Sequence, residues 1–206
     1  MADFAAVFPD GACRQLCEAR LGELRGGDSH ASRHRGLVHQ ALPRSKVSAV
    51  VLIKTISNYS PNFNSTKRRF NELKFLIFHY TGMRSETEAI KRLTDFRSKV
   101  SSHYLIKNNG DIVVLVPDLY VAWHAGKSSW KNFKSLNDNS IGIEISNPGH
   151  EHHYKKYSVK QITSLIKLSK ELMKKYKIKS QNILGHSDIA PDRKMDPGEK
   201  FPWQQL

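Results

Sequence analysis

The side chains best suited to chemistry are gathered near the C-terminus. The stretch Gly185-His186-Ser187-Asp188-Ile189-Ala190-Pro191-Asp192-Arg193-Lys194-Met195-Asp196-Pro197-Gly198 places an imidazole, an ammonium and a carboxylate within eleven residues. His186 and Asp196 are ten residues apart, far enough for both to turn back onto one metal ion, with Lys194 beside it. A second imidazole, His79, closes the apolar run Lys74-Phe75-Leu76-Ile77-Phe78-His79. A histidine at such a strand end is more often a satisfied core residue than a ligand. Set beside His186 and Asp196 it gains weight, because two neutral imidazoles, one carboxylate and a water make an open four-coordinate zinc site.

Glu144 is the candidate base. In Ser140–Ser146 the residues Ile141, Ile143 and Ile145 share one face, while Gly142 and Glu144 point the other way. A carboxylate opposite an apolar row is as readily a solvated side chain. If its face bears the metal, it would take a proton from an activated water and pass it to a leaving amine. Lys194 would then offer a fixed charge to a developing oxyanion, against the plainer reading of one surface lysine among twenty-one. Trp123 and His124, in Trp123-His124-Ala125-Gly126, suit the wall of a cleft, although a tryptophan is also a core residue. His103 is a further candidate for contact with substrate or with a ligand. His150, His152 and His153 form a rival metal cluster, but no strand anchors them and the usual reading is a solvated segment.

These residues need a scaffold, and the hydrophobic pattern supplies one. The run 74–79 reads as a central strand covered on both faces. Ser85-Glu86-Thr87-Glu88 is a capping box, and Ile90, Leu93 and Phe96 recur at helical spacing, predicting a helix over 85–99. The runs 103–106 and 112–116 flank Asn108-Asn109-Gly110-Asp111 and predict a hairpin. A strand at 140–146, an amphipathic helix at 158–176 that opens on Ser158 and Gln161, and a strand at 182–184 follow. The segment Phe201-Pro202-Trp203 suits a last turn. The order predicts an α/β fold, a mixed central β-sheet flanked by helices.

Bulk properties set the frame. At 206 residues the chain is one domain with room for an appendage. The net charge of +14 is spread without an Arg-rich block or an aromatic-interleaved stripe, so a Lys-rich solvated surface is the reading and nucleic acid is not the partner. No apolar run reaches the ~20 residues that span a bilayer, and no signal peptide is readable. Residues 1–45 hold six Arg and no Lys, whereas 46–206 hold six Arg and twenty-one Lys. That switch predicts an N-terminal appendage of separate origin, poorly packed apart from a short helix over 12–24, ahead of a catalytic domain at 46–206. Cys13 and Cys17, the only cysteines, lie in the appendage and read as incidental.

Several segments together resemble a known family. FHYT at 78–81, SSHYLI at 101–106, AWHAG at 122–126, SIGIE at 140–144, LGHSDIAPDRKMDPG at 184–198 and FPW at 201–203 are similar in order and spacing to the zinc-dependent N-acetylmuramoyl-L-alanine amidases of the AmpD and AmiD type. Tyr59-Ser60-Pro61-Asn62 and Arg68-Arg69 resemble the leading segment of the AmiD-like branch. The resemblance covers roughly 55–206 and implies the fold of peptidoglycan recognition proteins and phage T7 lysozyme-like amidases. It implies one zinc ion on His79, His186 and Asp196, Glu144 as catalytic base, Lys194 at the transition state, and Trp123 and His124 lining the substrate groove. The implied reaction cleaves the amide between N-acetylmuramic acid, intact or 1,6-anhydro, and L-alanine of the bacterial stem peptide. A non-catalytic recognition module on this fold is the main rival, and such modules lack a zinc ligand that this chain retains. The AmiD-like segment points to the cell envelope or secretion, the unreadable signal peptide to the cytoplasm; the envelope is the expectation.

Overall fold

A computed structural model of the chain describes residues 55–206. The readings on residues 1–45, on a helix over 12–24 and on Cys13 and Cys17 lie outside those residues. The described chain runs β1 (Thr55–Ser57), β2 (Phe63–Asn64), β3 (Phe75–Tyr80), α1 (Glu86–Thr94), β4 (Tyr104–Ile106), β5 (Ile112–Val114), β6 (Val121–Ala122), β7 (Ser129–Trp130) and β8 (Phe133–Lys134). It continues through β9 (Ser140–Ile145), α2 (Val159–Tyr176), β10 (Ile183–Gly185) and α3 (His186–Ile189).

Six strands form the main sheet in the order β1-β5-β4-β9-β3-β10. The β4–β5 hairpin pairs antiparallel and every other neighbour in this sheet pairs parallel. The sheet is therefore mixed, as its strand and helix order predicts. Alternation assigns its faces. Ile141, Ile143 and Ile145 of β9 join Leu76 and Phe78 of β3 in a core closed by Ile162, Leu165 and Leu172 of α2. On the other face α1 brings Ala89 and Leu93 onto Leu105 and Val113, while Ile189 of α3 packs on Phe75, Ile77 and Leu184. The result is three layers, with α2 on one side and α1 and α3 on the other. Glu144 pairs in register with His79 on one flank and Leu105 on the other. Both polar residues therefore share the face of α1 and α3, near the C-terminal ends of parallel strands, where open α/β sheets characteristically place ligand sites.

Helix caps follow the sequence pattern with one exception. Ser158 and Gln161 form the reciprocal capping box at the start of α2. At α1 only half of the expected capping box forms: the Ser85 hydroxyl accepts from the Glu88 amide, without the return bond from the Ser85 amide to the Glu88 side chain. This helix ends at Thr94, short of the expected 99, because Asp95 turns the chain: its carboxylate accepts from the Arg97 amide and guanidinium. Phe96, read as the last residue of the helical stripe, is 62% exposed. The run after β10 also departs from expectation. It begins with the single helical turn α3, held where the Gly185 amide donates to Asp188 Oδ2.

Candidate active site

The three strand-end residues meet. His79 stands near the end of β3, His186 opens α3 directly after β10, and the backbone of Asp196 is tied to that turn by the Ser187 amide, 2.9 Å from the Asp196 carbonyl. Tyr154 and Tyr157 both donate to the Pro197 carbonyl at 2.7 Å and fix the other side of the loop. His79 Nδ1 lies 2.9 Å from His186 Nδ1 and 3.0 Å from Asp196 Oδ2, and His186 Nδ1 lies 3.1 Å from the same oxygen. All three side chains are buried.

The chemistry of this cluster fits a cation. His186 Nε2 faces the Ala125 carbonyl at 3.0 Å. A carbonyl only accepts, so Nε2 carries the hydrogen and, in the neutral ring, Nδ1 is a bare lone pair. It points at the Asp196 carboxylate, with Oδ2 3.1 Å away. Two acceptors 3.1 Å apart in a buried site repel unless a positive charge sits between them. Burial, and then the neighbouring His186, pull His79 down to about 4, which leaves it a neutral imidazole at physiological pH. Among the described residues no other group of three His, Cys, Asp or Glu side chains converges in this way. His150 is engaged by Tyr80 and Glu199 instead, so the His150, His152 and His153 cluster does not form a rival centre.

Glu144 and Lys194 both line the same cleft, a cavity of about 440 Å³ that also takes in His79, His186 and Asp196. The Glu144 side chain opens partly to the cleft, but its Oε2 is buried without a hydrogen-bond partner. Burial first, and then the nearby Asp196, push its carboxyl well above the usual range, while Lys194 works the other way. An orphaned, raised carboxyl in a cleft is how a general base is commonly kept close to its working pH.

The groove residues divide. Trp123 reaches the cleft wall, held by its indole N–H donating to Asn64 Oδ1 at 2.8 Å. His124 lines the cleft as well, but both of its ring nitrogens are engaged, Nδ1 with His79 Nε2 at 3.0 Å and Nε2 with Ser140 Oγ at 3.1 Å. It has no ring nitrogen left for a substrate. His103 does not reach the cleft at all. It is fully buried, its Nδ1 accepting from the Gly142 amide and its Nε2 donating to the Tyr120 carbonyl. Burial and then Arg68 hold it neutral, with its pKa lowered to about 3. The expectation that His103 contacts substrate is corrected: the ring braces β9 against the loop before β6.

Other residues in and behind the cleft carried no signal of their own in the sequence. Tyr80, Arg92 and Arg193 line it, and Asn137, in the polar turn Leu136-Asn137-Asp138-Asn139, accepts from the amides of His124 and Ala125 through its Oδ1. A polar turn residue looks the same whether it is solvated or pins a neighbouring loop.

Comparison with known proteins decides the family. Residues 69–199 match the profile of the N-acetylmuramoyl-L-alanine amidases. The chain belongs to this family. Among its relatives, AmiD of Escherichia coli is 42% identical over 149 residues, which cover 66% of this chain and 53% of that protein. AmpD of Haemophilus influenzae, a 1,6-anhydro-N-acetylmuramyl-L-alanine amidase, is 32% identical over 164 residues, covering 71% of this chain and 86% of that one. A solved complex of E. coli AmiD with the substrate anhydro-N-acetylmuramic acid-L-Ala-D-gamma-Glu-L-Lys superposes with a TM-score of 0.61 at 40% identity, over 69% of this chain and 59% of that chain. The chain thus spans about half the length of AmiD and most of the length of H. influenzae AmpD. Its mixed sheet with flanking helices is the architecture of these relatives.

Proposed function

We propose that this chain is a zinc-dependent N-acetylmuramoyl-L-alanine amidase that hydrolyses the amide joining the lactyl group of N-acetylmuramic acid to L-alanine of the stem peptide. The observation that carries this reading is the convergence of His79, His186 and Asp196 in one buried cluster, with Glu144 in strand register beside it. The relatives support the substrate class, since AmiD is recorded with an anhydro-muramyl peptide and AmpD is named for the anhydro form. Muropeptide, intact or 1,6-anhydro, is the partner that follows.

His79, His186 and Asp196 would hold the zinc. When bound, it supplies Lewis acidity that makes water a nucleophile near neutral pH and polarises a carbonyl. Glu144 takes a proton from the attacking water as the new C–O bond forms. It returns that proton to the alanine nitrogen as the C–N bond breaks, leaving a lactyl carboxylic acid and a free amine. Lys194, which lines the cleft on the loop beside Asp196, balances the negative charge on the former carbonyl oxygen. Trp123 forms one wall of the groove that orients the substrate. The test is a product analysis. Zinc-loaded protein incubated with anhydro-muramyl tripeptide should release a tripeptide with a free N-terminal L-alanine, read by mass spectrometry. An intact substrate, or cleavage elsewhere in the stem, would overturn the proposal.

A further inference from the structure

Both imidazoles of the cluster are bonded to the segment Ala122-Trp123-His124-Ala125-Gly126. His186 donates to the Ala125 carbonyl. His79 meets the His124 ring, Nε2 to Nδ1, at 3.0 Å. The first bond has only one direction, because a carbonyl cannot donate. The second is a contact between two imidazoles, and its direction has to be found from what lies behind it.

That direction follows by elimination. His124 Nε2 lies 3.1 Å from Ser140 Oγ. Ser140 has one hydroxyl hydrogen, and its oxygen lies 2.5 Å from the Leu136 carbonyl. If the hydrogen pointed at His124 instead, two oxygen lone pairs would face each other at that distance. The hydroxyl therefore donates to Leu136 and can only accept from His124. His124 Nε2 must then carry its ring's hydrogen, which leaves Nδ1 bare. A bare Nδ1 makes His79 Nε2 the donor, and His79 Nδ1 is left as a lone pair aimed at His186 and Asp196. Each ring is neutral and each bond is used once.

The surroundings are shaped to hold this line. Gly142 faces the His124 ring so closely that an added Cβ would lie 2.6 Å from Nδ1, so the ring's seat exists only because that strand position has no side chain. Asn137 Oδ1 accepts from both the His124 and Ala125 amides, at 3.1 and 2.7 Å. One carboxamide thus anchors the backbone that serves both ligands.

We infer that His124 is a positioning residue of the metal centre: a relay from the Leu136 carbonyl through Ser140 and His124 fixes His79 as its Nε2–H tautomer and presents its Nδ1 lone pair to the ion. The inference rests on the metal reading given above and assigns His124 an indirect role in place of substrate contact. Partners of this kind typically contribute 10–100-fold to metal affinity.

Two measurements test it on the full chain. In metal-free protein labelled with 15N in its histidines, imidazole spectra should show His79 and His124 both as Nε2–H tautomers; an Nδ1–H form at either position overturns the relay. Zinc affinity, read by competition with a chromophoric chelator, should fall about 10–100-fold in His124→Leu. It should recover largely in His124→Asn, whose side-chain oxygen can accept from His79. Unchanged affinity in a His124→Leu protein that melts like the parent removes His124 from this role. Should His124→Leu fail to fold, the tautomer spectra of the parent decide. A parent chain that binds no zinc sinks the metal reading itself, which the metal-free spectra keep separate from failure of the relay.

Discussion

Glu144 owes its position to a period of two. The isoleucines of β9 are drawn into the core under α2, and every intervening residue is turned to the opposite face, where His79 stands in register. The carboxyl is held in the cleft without a hydrogen-bond partner at Oε2, so its replacement removes a proton acceptor and little else. Glu144→Gln should lower turnover by about 10²–10⁴-fold, the usual worth of a general base. Zinc affinity by chelator competition should stay at the parent value; near-parental turnover would exclude Glu144 as the base. His79, Glu144 and His186 were legible in the sequence because each ends, interrupts or follows an apolar strand, and Asp196 because it shares a short Pro- and Gly-punctuated loop with His186. His103 shared that signal and misled, because its ring turns into the backbone of β9 and beside Arg68, a residue 35 positions upstream. Asn137 and Ser140 carried no signal, since their roles depend on which loop lies above them.

At the scale of elements, α2 is held by more than its apolar face. Its last turn brings Tyr176 and Lys175 onto the buried carboxylate of Asp118, which follows β5, and Tyr104 of β4 donates to the same group. Burial opposes the Asp118 charge, but Lys175 and the two hydroxyls outweigh it and the carboxyl titrates below its ordinary value. A depressed carboxyl stabilises the fold above its unfolded pKa of about 3.9, and that contribution is lost as pH falls through the folded value. Asp118→Asn should therefore lower stability at pH 7 and flatten the loss of stability below about pH 4. Urea unfolding at several pH values measures this, and an unchanged acid slope would show that the clamp carries no linkage. The long elements were legible from their periods, α2 almost to the residue. The pairs β2–β6 and β7–β8 were not, because two-residue strands have no period to read. The end of α1 was missed because Asp95 bonds locally to Arg97 and outcompetes one more helical turn.

Across the whole molecule, the cluster joins parts of the chain that are far apart in sequence: His79 and Asp196 are separated by 117 positions. That junction sets the Nδ1 lone pair of a neutral His186 against the Asp196 carboxylate, a local repulsion at the end of the central strands that a cation would offset. A cation removes the repulsion and links β3, β10 and the loop through Asp196 at one point. An ion that binds the folded chain and not the unfolded one stabilises it by RT ln(1 + [L]/Kd), about 2.7 kcal/mol when free ligand is 100 Kd. For a domain of this size that is a rise in melting temperature of roughly 5–10 °C. Zinc added to chelator-treated protein should produce this rise in a thermal melt, and excess chelator should reverse it. In Asp196→Asn the carboxylate that offsets the ion's charge is gone, so the zinc-dependent rise should shrink while the metal-free protein melts no lower, because the same substitution also relieves the repulsion. A full zinc shift in Asp196→Asn would mean that the ion stabilises the molecule from somewhere other than this cluster.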